Sequence, residues 1–267
     1  MKIAFLGAGK MATAIAGGLT RGGVVGAADM AAYDVSAEAG AAFARATGVA
    51  CAQQPGEAFA EAECLLLAVK PQKAEEAVRS LPRRRREGLV ISIAAGIPLA
   101  RLQEWFATDR LIRVMPNTPL LVGQGATVYA RGPGATAADG ATCAQIFGSL
   151  GLCREVPESW IDAVTALSGS GPAYVFEMVQ ALVDAGVAVG LPADLALDLT
   201  VQTVAGAAEM LRQKQGTPDA LRKAVTSPGG TTAAGLAVLQ SADFRDLMRR
   251  TVRAACERSA ELGRAPR

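Results

Sequence analysis

Residues 3–19 read Ile-Ala-Phe-Leu-Gly-Ala-Gly-Lys-Met-Ala-Thr-Ala-Ile-Ala-Gly-Gly-Leu, and this stretch decides the fold. Its first four residues are typical of a buried parallel strand, and its second half has the spacing of an apolar helix. Gly7 permits a tight turn between them, Gly9 lets backbone approach a pyrophosphate, and Ala12 lets the helix pack on the strand. Because the N-terminus of such a helix attracts phosphates, the pattern predicts a dinucleotide site. A turn of small residues without a ligand is the alternative.

Composition narrows the class of protein. The chain has 267 residues, of which 51% are hydrophobic and 19% charged, which favours two modest folded domains or one large one. A net charge of +2 predicts no strong attraction to nucleic acid or to an anionic membrane. We expect neither a secretory signal nor a membrane-spanning segment, because Gly, Pro, Asn or charged residues interrupt the apolar runs.

The reactive side chains narrow the chemistry further. The five cysteines are odd in number and form no C-x-x-C pair, which favours reduced thiols in the cytoplasm and no metal site. The chain contains no histidine, the commonest general acid–base in enzymes. Any reaction must therefore use hydroxyls, carboxylates, lysines, backbone groups or a cofactor.

Asp34 follows the second predicted strand, residues 29–34, at a suitable distance beyond the glycine loop. A carboxylate there can accept hydrogen bonds from both hydroxyls of an adenosine ribose and would repel a 2′-phosphate, which favours NADH over NADPH. The alternative is an aspartate that stabilises a turn, with Ser36 capping the next helix.

Three more apolar runs, Cys64–Val69, Leu89–Ile93 and Leu111–Met115, are predicted strands. They lead into Lys70-Pro71, Ala94-Ala95-Gly96 and Pro116-Asn117-Thr118-Pro119, respectively. Ligands of open parallel sheets bind beyond the carboxyl ends of the strands, so each segment is a candidate site. The loop around Asn117 is equally well explained as a structural turn, and Lys70 could simply be solvated.

Strands and helices alternate as far as Val156, which predicts a doubly wound parallel sheet with helices on both faces over residues 1–156. Residues 157–267 contain only helical patterns, and no Lys or Arg occurs between Arg154 and Arg212. Helices this apolar need burial on more than one side, which predicts an obligate oligomer rather than a membrane-surface helix. Arg83–Arg86 is interpreted as an exposed turn rather than a nucleic-acid patch.

Two segments within residues 157–267 are rich in glycines and hydroxyl side chains. Leu167–Pro172 carries two hydroxyls and two glycines and is expected to break the helical pattern. Ser227–Thr232 (Ser-Pro-Gly-Gly-Thr-Thr) precedes another predicted helix. Its paired glycines can expose backbone N–H groups as a nest for a small carboxylate, with two threonine hydroxyls beside it. A capping turn without a ligand is the equally open alternative.

The residues quoted so far resemble the pyrroline-5-carboxylate reductase family over nearly the whole chain. The matching stretches are Phe5–Met11, Ala68–Pro71, Ala94–Gly96, Met115–Pro119, Gly125–Tyr129, Ile161–Tyr174 and Ser227–Thr232. The most specific of these, Ile161–Tyr174, is similar to the family's long helix between its two domains. The resemblance implies a Rossmann domain, a helical dimerisation domain and an active site built between subunits, in assemblies that are commonly decamers, pentamers of dimers.

The resemblance also implies roles for individual residues. The cofactor, NADPH or NADH, is expected on Gly7, Ala8, Gly9, Lys10, Met11, Asp34, Ala68, Val69, Lys70, Pro71, Ala94, Ala95, Gly96 and Asn117. The imino-acid substrate is expected on Ser227, Gly229, Gly230, Thr231 and Thr232, with Glu158 at its border. Thr232 matches the family threonine that meets the ring nitrogen and is the expected catalytic residue. Two departures are Asp34, where NADPH-preferring relatives often carry Ser or a basic residue, and Ala224, where some relatives carry a polar residue.

The implied reaction is NAD(P)H-dependent reduction of the cyclic imine 1-pyrroline-5-carboxylate to L-proline, the last step of proline synthesis. A protonated imine is already electrophilic, so the reaction suits a chain without histidine. A β-hydroxyacid dehydrogenase is one alternative, but it needs a base, typically a lysine on the linking helix, and this segment has none. A non-catalytic nucleotide sensor is the other alternative, and it would have no reason to keep Ser227–Thr232.

Overall fold

The computed structural model describes residues 1–59, 61–81 and 88–264, and the predicted exposed turn at Arg83–Arg86 lies outside them. The chain divides into two compact units. The first combines Met1–Ser170 with Ala255–Arg267, and the second is Gly171–Ala254. The predicted boundary between residues 156 and 157 stays a prediction.

The first unit is built on one eight-stranded sheet of order β3-β2-β1-β4-β5-β6-β7-β8. The strands are β1 Ile3–Leu6, β2 Met30–Tyr33, β3 Ala50–Cys51, β4 Cys64–Leu67, β5 Leu89–Ser92, β6 Leu111–Met115, β7 Gly125–Arg131 and β8 Gly151–Glu155. Neighbouring strands are parallel except for β6 and β7. The predicted doubly wound sheet is thus confirmed, with one reversal. A short 3₁₀ turn, Thr118–Val122, joins β6 to β7, and so short a connection cannot return the chain for parallel pairing.

Twelve α-helices accompany the strands within the described residues. They are α1 Lys10–Arg21, α2 Ala37–Thr47, α3 Pro55–Phe59, α4 Ala74–Arg79, α5 Leu99–Phe106, α6 Ala137–Gly148, α7 Ile161–Val164, α8 Gly171–Ala188, α9 Ala193–Arg212, α10 Pro218–Ala224, α11 Thr231–Ser241 and α12 Phe244–Arg264. Ser36 caps α2 as predicted, Gly48 ends α2 in the left-handed conformation, and the Thr217 side chain caps α10.

Alternate side chains of β1 point to opposite faces of the sheet, and both faces pack against an apolar core. Ile3 and Phe5 belong to one core cluster, together with buried residues of α1, α2 and α6. Ala4 and Leu6 belong to a second cluster, with buried residues of α3, α4 and α5. Successive side chains of a strand point to opposite faces, so a strand covered on both sides must be apolar throughout.

The second unit leaves much of its apolar surface exposed in a single chain. No residue of α8 is buried, and Ala196 is the only buried residue of α9. α8 and α9 approach closely at Gly186, where a Cβ would lie 3.1 Å from the Cβ of Ala196. Large exposed side chains of the two helices are Val175, Phe176, Met178, Leu182, Val187, Leu195, Leu197, Leu199, Val201, Met210 and Leu211. None of the described helices is both long and apolar enough to span a bilayer.

Candidate functional site

The two glycines of the first loop have different surroundings. Gly7 has a φ of +103°, and a Cβ there would lie 2.8 Å from the carbonyl oxygen of Ala68. Only glycine tolerates both conditions, so Gly7 lets the turn pass against the end of β4. A Cβ on Gly9, by contrast, would have no atom within 4 Å. The open space at Gly9 is where the motif predicts that a pyrophosphate approaches the backbone.

The N-terminus of α1 is also suited to phosphate. Gly9 is its N-cap residue, no side chain caps it, and its first turn contains no acidic residue. Its backbone N–H groups and helix dipole therefore face the loop without a competing carboxylate from the helix itself. The loop thus fits the diphosphate of a dinucleotide. A side chain at Gly9 would occupy the open space that the diphosphate needs.

Asp34 lies directly after β2 and accepts two backbone hydrogen bonds. Its Oδ2 accepts the N–H of Ala8 at 2.8 Å, and its Oδ1 accepts the N–H of Ser36 at 2.9 Å. The structural interpretation of this aspartate is therefore confirmed, because it stabilises both the glycine loop and the turn before α2. A carboxylate offers about four lone-pair positions, so capacity remains for ribose hydroxyls. The ribose role itself stays a prediction.

A pocket of about 190 Å³ brings several predicted cofactor residues together. Gly7, Asp34 and Val69 line it with residues that the sequence did not single out. The additional lining residues are Leu6, Tyr33, Val35, Lys73, Glu76, Ala77 and Ser80. The last four have the i, i+3, i+4, i+7 spacing of one helix face, but no apolar periodicity marks this face as part of a site. Because Lys73 pairs with Glu76 at 3.0 Å, the lining carries the net negative charge of Asp34.

The other predicted cofactor segments follow neighbouring strands. Lys70 precedes a 3₁₀ turn, Pro71–Lys73, after β4. Ala94 is 3% exposed after β5, where its N–H donates to the Ser92 hydroxyl, and Gly96 has a φ of +72°. Since β1, β2, β4 and β5 are parallel neighbours, these segments leave the sheet at one edge.

Asn117 joins three parts of the first unit. Its Oδ1 accepts the backbone N–H of Ala126 in β7 at 2.8 Å, and its Nδ2 donates to the carbonyl oxygen of Ser168 at 3.1 Å. The side chain is only 8% exposed. The loop around Asn117 therefore has a structural role, and contact of this residue with the cofactor stays a prediction.

Glu158 lies in a 3₁₀ turn, Glu158–Trp160, that leads into α7. Its Oε1 accepts the N–H of Leu99 at 2.7 Å and a hydrogen bond from the guanidinium of Arg113 at 3.0 Å. Arg113 is 7% exposed. Glu158 thus caps α5 and pairs with a buried cation, and its place at the border of the substrate stays a prediction.

The predicted break of the helical pattern at Leu167–Pro172 is present only locally: Thr165–Gly169 continues α7 as a π-helical turn, Ser170 is a bend, and α8 begins at Gly171. The Thr165 and Ser168 hydroxyls donate to the carbonyl oxygens of Ile161 and Val164, four residues earlier. Hydroxyls bonded in this way are compatible with a helix. The family's linking helix, inferred for Ile161–Tyr174, is therefore present with a local widening, interrupted at Ser170.

The loop Ser227–Thr232 stands at the start of α11. Gly229 has a φ of +71°, and the N–H of Gly230 donates to the Ser227 carbonyl oxygen at 3.1 Å. A Cβ on Gly230 would collide with the Ser227 hydroxyl and lie 3.2 Å from the Ser227 carbonyl oxygen, so a side chain here would require Ser227 to move. Within the described residues, no side chain caps α11, and its first turn contains no acidic residue. The loop can therefore offer backbone N–H groups to an anion, with the partly buried Thr232 beside them.

Comparisons with known proteins match two different family models to two parts of the chain. The family model described as pyrroline-5-carboxylate reductase dimerisation matches residues 158–262. The model described as NADP oxidoreductase coenzyme F420-dependent matches residues 2–96. The second match contains the glycine loop, Asp34 and the loop at Gly96, and the first contains Ser227–Thr232.

Relatives match over almost their whole length. The pyrroline-5-carboxylate reductase of Glycine max is 45% identical over 97% of this chain and 95% of its own. The solved structure of the Coxiella burnetii enzyme has a TM-score of 0.91 at 33% identity and covers 99% of both chains. The Plasmodium falciparum enzyme, solved with NADP bound, has a TM-score of 0.88 at 32% identity over 98% of both chains.

Proposed function

The chain belongs to the pyrroline-5-carboxylate reductase family and is an NAD(P)H-dependent oxidoreductase of that activity; from this premise we propose how its residues divide the reaction. One set binds the dinucleotide at the edge of the sheet, and a second set binds the imino acid at the start of α11. Neither set contains histidine or a metal ligand cluster, so binding and orientation must provide most of the rate enhancement.

The proposed dinucleotide site extends along the ends of four strands. The N-terminus of α1 and the open space at Gly9 bind the pyrophosphate, and Asp34 accepts the ribose hydroxyls. The segments Ala68–Pro71 and Ala94–Gly96 line the rest of the cofactor. The negative lining around Asp34 favours NADH, because a 2′-phosphate would meet this carboxylate while the lining cation, Lys73, is already paired with Glu76.

The proposed substrate site is the loop Ser227–Thr232. The backbone N–H groups of the first turn of α11, which follow Gly230, bind the substrate carboxylate, since an anion at an uncapped helix N-terminus is stabilised by the helix dipole. The Thr232 hydroxyl then points at the ring nitrogen of the bound imine. Glu158 borders the substrate in the family pattern, although its Oε1 is already used by Leu99 and Arg113.

The chemistry that remains for the protein is modest. Reduced nicotinamide, when bound, supplies the hydride for the imine carbon. Thr232 accepts or donates a hydrogen bond at the imine nitrogen and thereby fixes which face of the ring is presented. A hydroxyl is a weak acid, so orientation is its main role and relay of the final proton its second.

The chain carries the family's dimerisation domain and forms a homo-oligomer. The exposed apolar side chains of α8 and α9 are the natural surface for that contact. Beyond a dimer we propose a pentamer of dimers, a cytoplasmic location, and domains of residues 1–156 and 157–267. Mass measurement in solution tests the first of these, and a ten-subunit mass is expected.

The uncapped, glycine-paired start of α11 carries this proposal, because a nucleotide sensor would need no second anion site. The test is oxidation of NADH and of NADPH by the purified enzyme with pyrroline-5-carboxylate or with a 3-keto acid. We expect turnover with the imine alone. Turnover with the keto acid would favour a β-hydroxyacid dehydrogenase, and turnover with neither would favour a sensor.

A further inference from the structure

The final part of α12, residues 255–264, leaves the helical unit and joins the nucleotide-binding unit. We call these residues the α12 tail. The tail has two attachments within this unit, one polar, to α7, and one apolar, to the loop that follows β5.

The polar attachment is a hydrogen bond between Ser259 and Asp162. The Ser259 hydroxyl donates to Oδ1 of Asp162 at 2.7 Å, and Ser259 is 6% exposed. Serine and threonine hydroxyls in helices commonly bond to the carbonyl four residues earlier, as Thr251 does with Leu247 in the same helix. Ser259 instead reaches across to the first turn of α7. Since 97 residues separate the pair, the bond fixes tertiary position rather than helix geometry.

The apolar attachment covers Gly96. The Cβ of Leu262 lies 3.6 Å from the position that a Cβ on Gly96 would take. The helix approaches here at a glycine of its own, because a Cβ on Gly263 would lie 3.6 Å from the carbonyl oxygen of Gly96. The last turn of α12 therefore rests on the backbone of the loop that follows β5.

We propose that Ser259, Asp162 and Leu262 are positioning residues that hold the loop Ala94–Gly96 in the shape that receives the dinucleotide. This inference rests on the proposed function, which puts cofactor contacts on that loop. Gly96 has a φ of +72°, in a region that other residues avoid, and glycine has the greatest backbone freedom to lose. Packing by the tail restricts that freedom before the cofactor arrives, so less ordering has to accompany binding.

The test compares variants of the intact enzyme by the dissociation constants of NADH and NADPH, by KM and kcat, and by thermal unfolding. Ser259→Ala and Asp162→Ala remove the hydrogen bond, whereas Asp162→Asn keeps an acceptor oxygen and should restore binding. Leu262→Gly removes the Cβ that lies against Gly96, at a position that is 40% exposed, and Leu262→Ala, which keeps that Cβ, is its control. Arg258→Ala is the matched control, because Arg258 is one residue from Ser259 and its exposed side chain pairs only with exposed Glu261 among the described residues.

We expect Ser259→Ala, Asp162→Ala and Leu262→Gly to raise the dissociation constant of the reduced dinucleotide about three- to tenfold, the loss typical of one modest contact. The kcat at saturating cofactor should stay unchanged. If these residues only stabilise the fold, the variants will have a lower unfolding temperature but an unchanged dissociation constant. That result would overturn the inference.

Gly96→Ala separates this inference from the proposed function. If Gly96→Ala weakens binding while the tail variants do not, the loop contacts the cofactor but the tail does not position it. If Gly96→Ala binds the cofactor normally, the loop is not part of the site and the inference fails with it.

Discussion

The Oδ2 atom of Asp34 accepts the backbone N–H of Ala8 at 2.8 Å, and this bond ties the end of β2 to the glycine loop. One carboxylate thus shapes the loop and faces the pocket into which the ribose is proposed to bind. Substitution of Asp34 therefore has two consequences, one for the fold of the loop and one for the choice of cofactor, and measurement must separate them.

Asp34→Ser should shift cofactor preference towards NADPH. Serine removes the negative charge that opposes a 2′-phosphate and leaves a hydroxyl that can donate to it. The ratio of kcat/KM for NADH to that for NADPH should fall at least about tenfold. Loss of the hydrogen bond to Ala8 should weaken the binding of both cofactors alike, and this common effect cancels in the ratio. Asp29→Ser is the control, since it removes an exposed carboxylate before the other end of β2; an unchanged ratio in Asp34→Ser would disprove the ribose role.

Gly9→Ala should abolish dinucleotide binding without harming the fold. Gly9 has a φ of −77°, which alanine adopts freely, and a Cβ there meets no atom within 4 Å. The unfolding free energy should stay within about 1 kcal/mol of the original, whereas the dissociation constant for NADH should rise more than about tenfold. Gly7→Ala should behave oppositely and destabilise the unit, because its Cβ would press on the Ala68 carbonyl. Normal binding by Gly9→Ala would mean that the pyrophosphate lies elsewhere.

Thr232→Ala should lower kcat far more than it weakens binding of NADH. The hydroxyl is proposed to act only on the bound imine, so kcat should fall at least about tenfold while the NADH dissociation constant changes less than about twofold. Thr232→Ser keeps the hydroxyl and should recover most of the rate. Ser241→Ala, at the opposite end of α11, is the control. Nearly unchanged turnover in Thr232→Ala would remove the residue from the mechanism.

Asn117→Ala should destabilise the nucleotide-binding unit. It leaves the Ala126 N–H and the Ser168 carbonyl oxygen without their side-chain partner in a largely buried place, a loss of about 2 kcal/mol. Asn117→Asp keeps the acceptor for Ala126 but sets a carboxylate oxygen against the Ser168 carbonyl oxygen in this largely buried place, so its loss should be at least as large. Urea unfolding at fixed protein concentration provides the measurement. Full stability in Asn117→Ala would show that neither bond matters.

The ion pair between Arg110 and Asp139 should make the free energy of unfolding depend on pH in the acid range. Its N–O distance is 2.8 Å, and hydrogen bonding to Arg110 lowers the pKa of Asp139 from 3.8 to about 2. A carboxyl whose pKa is lower in the folded state stabilises the protein above its unfolded pKa. That contribution, about 2 kcal/mol, is lost as the pH falls from about 4 through about 2.

Asp139→Asn should therefore have a lower free energy of unfolding than the original protein at pH 7. This difference in free energy should begin to shrink below about pH 4. Glu261→Gln, which alters an exposed pair, should show a small gap at every pH. A gap for Asp139→Asn that is independent of pH would contradict the role of the ion pair.

The sequence was most informative where local chemistry decides the structure. The apolar run Ile3–Leu6 predicts a strand buried on both faces, and Ser36 and Gly48 predict the ends of α2. It was least informative where distant groups decide. The amide of Asn117 bonds Ala126, 9 residues away, and Ser168, 51 residues away, and no local pattern specifies such partners.

The same reason explains the other differences. β3 has only two residues, too few for any periodicity. The reversal of β7 depends on the length of the preceding connection, and the π-helical turn depends on where two hydroxyls point. In the site, the glycine loop and Ser227–Thr232 could be recognised because their backbone geometry demands particular residues. Lys73 and Glu76 could not be assigned before the pocket was visible.

The return of residues 255–264 to the first unit has a consequence for biosynthesis. A ribosome makes the chain from its N-terminus at about 5–20 residues per second, and early domains generally fold first. Here the nucleotide-binding unit lacks residues 255–264 of α12 and the Ser259 bond to Asp162 until the whole helical unit has emerged. If the tail positions the loop Ala94–Gly96 as proposed, a nascent chain completes its cofactor site only after residues 255–264 have been made.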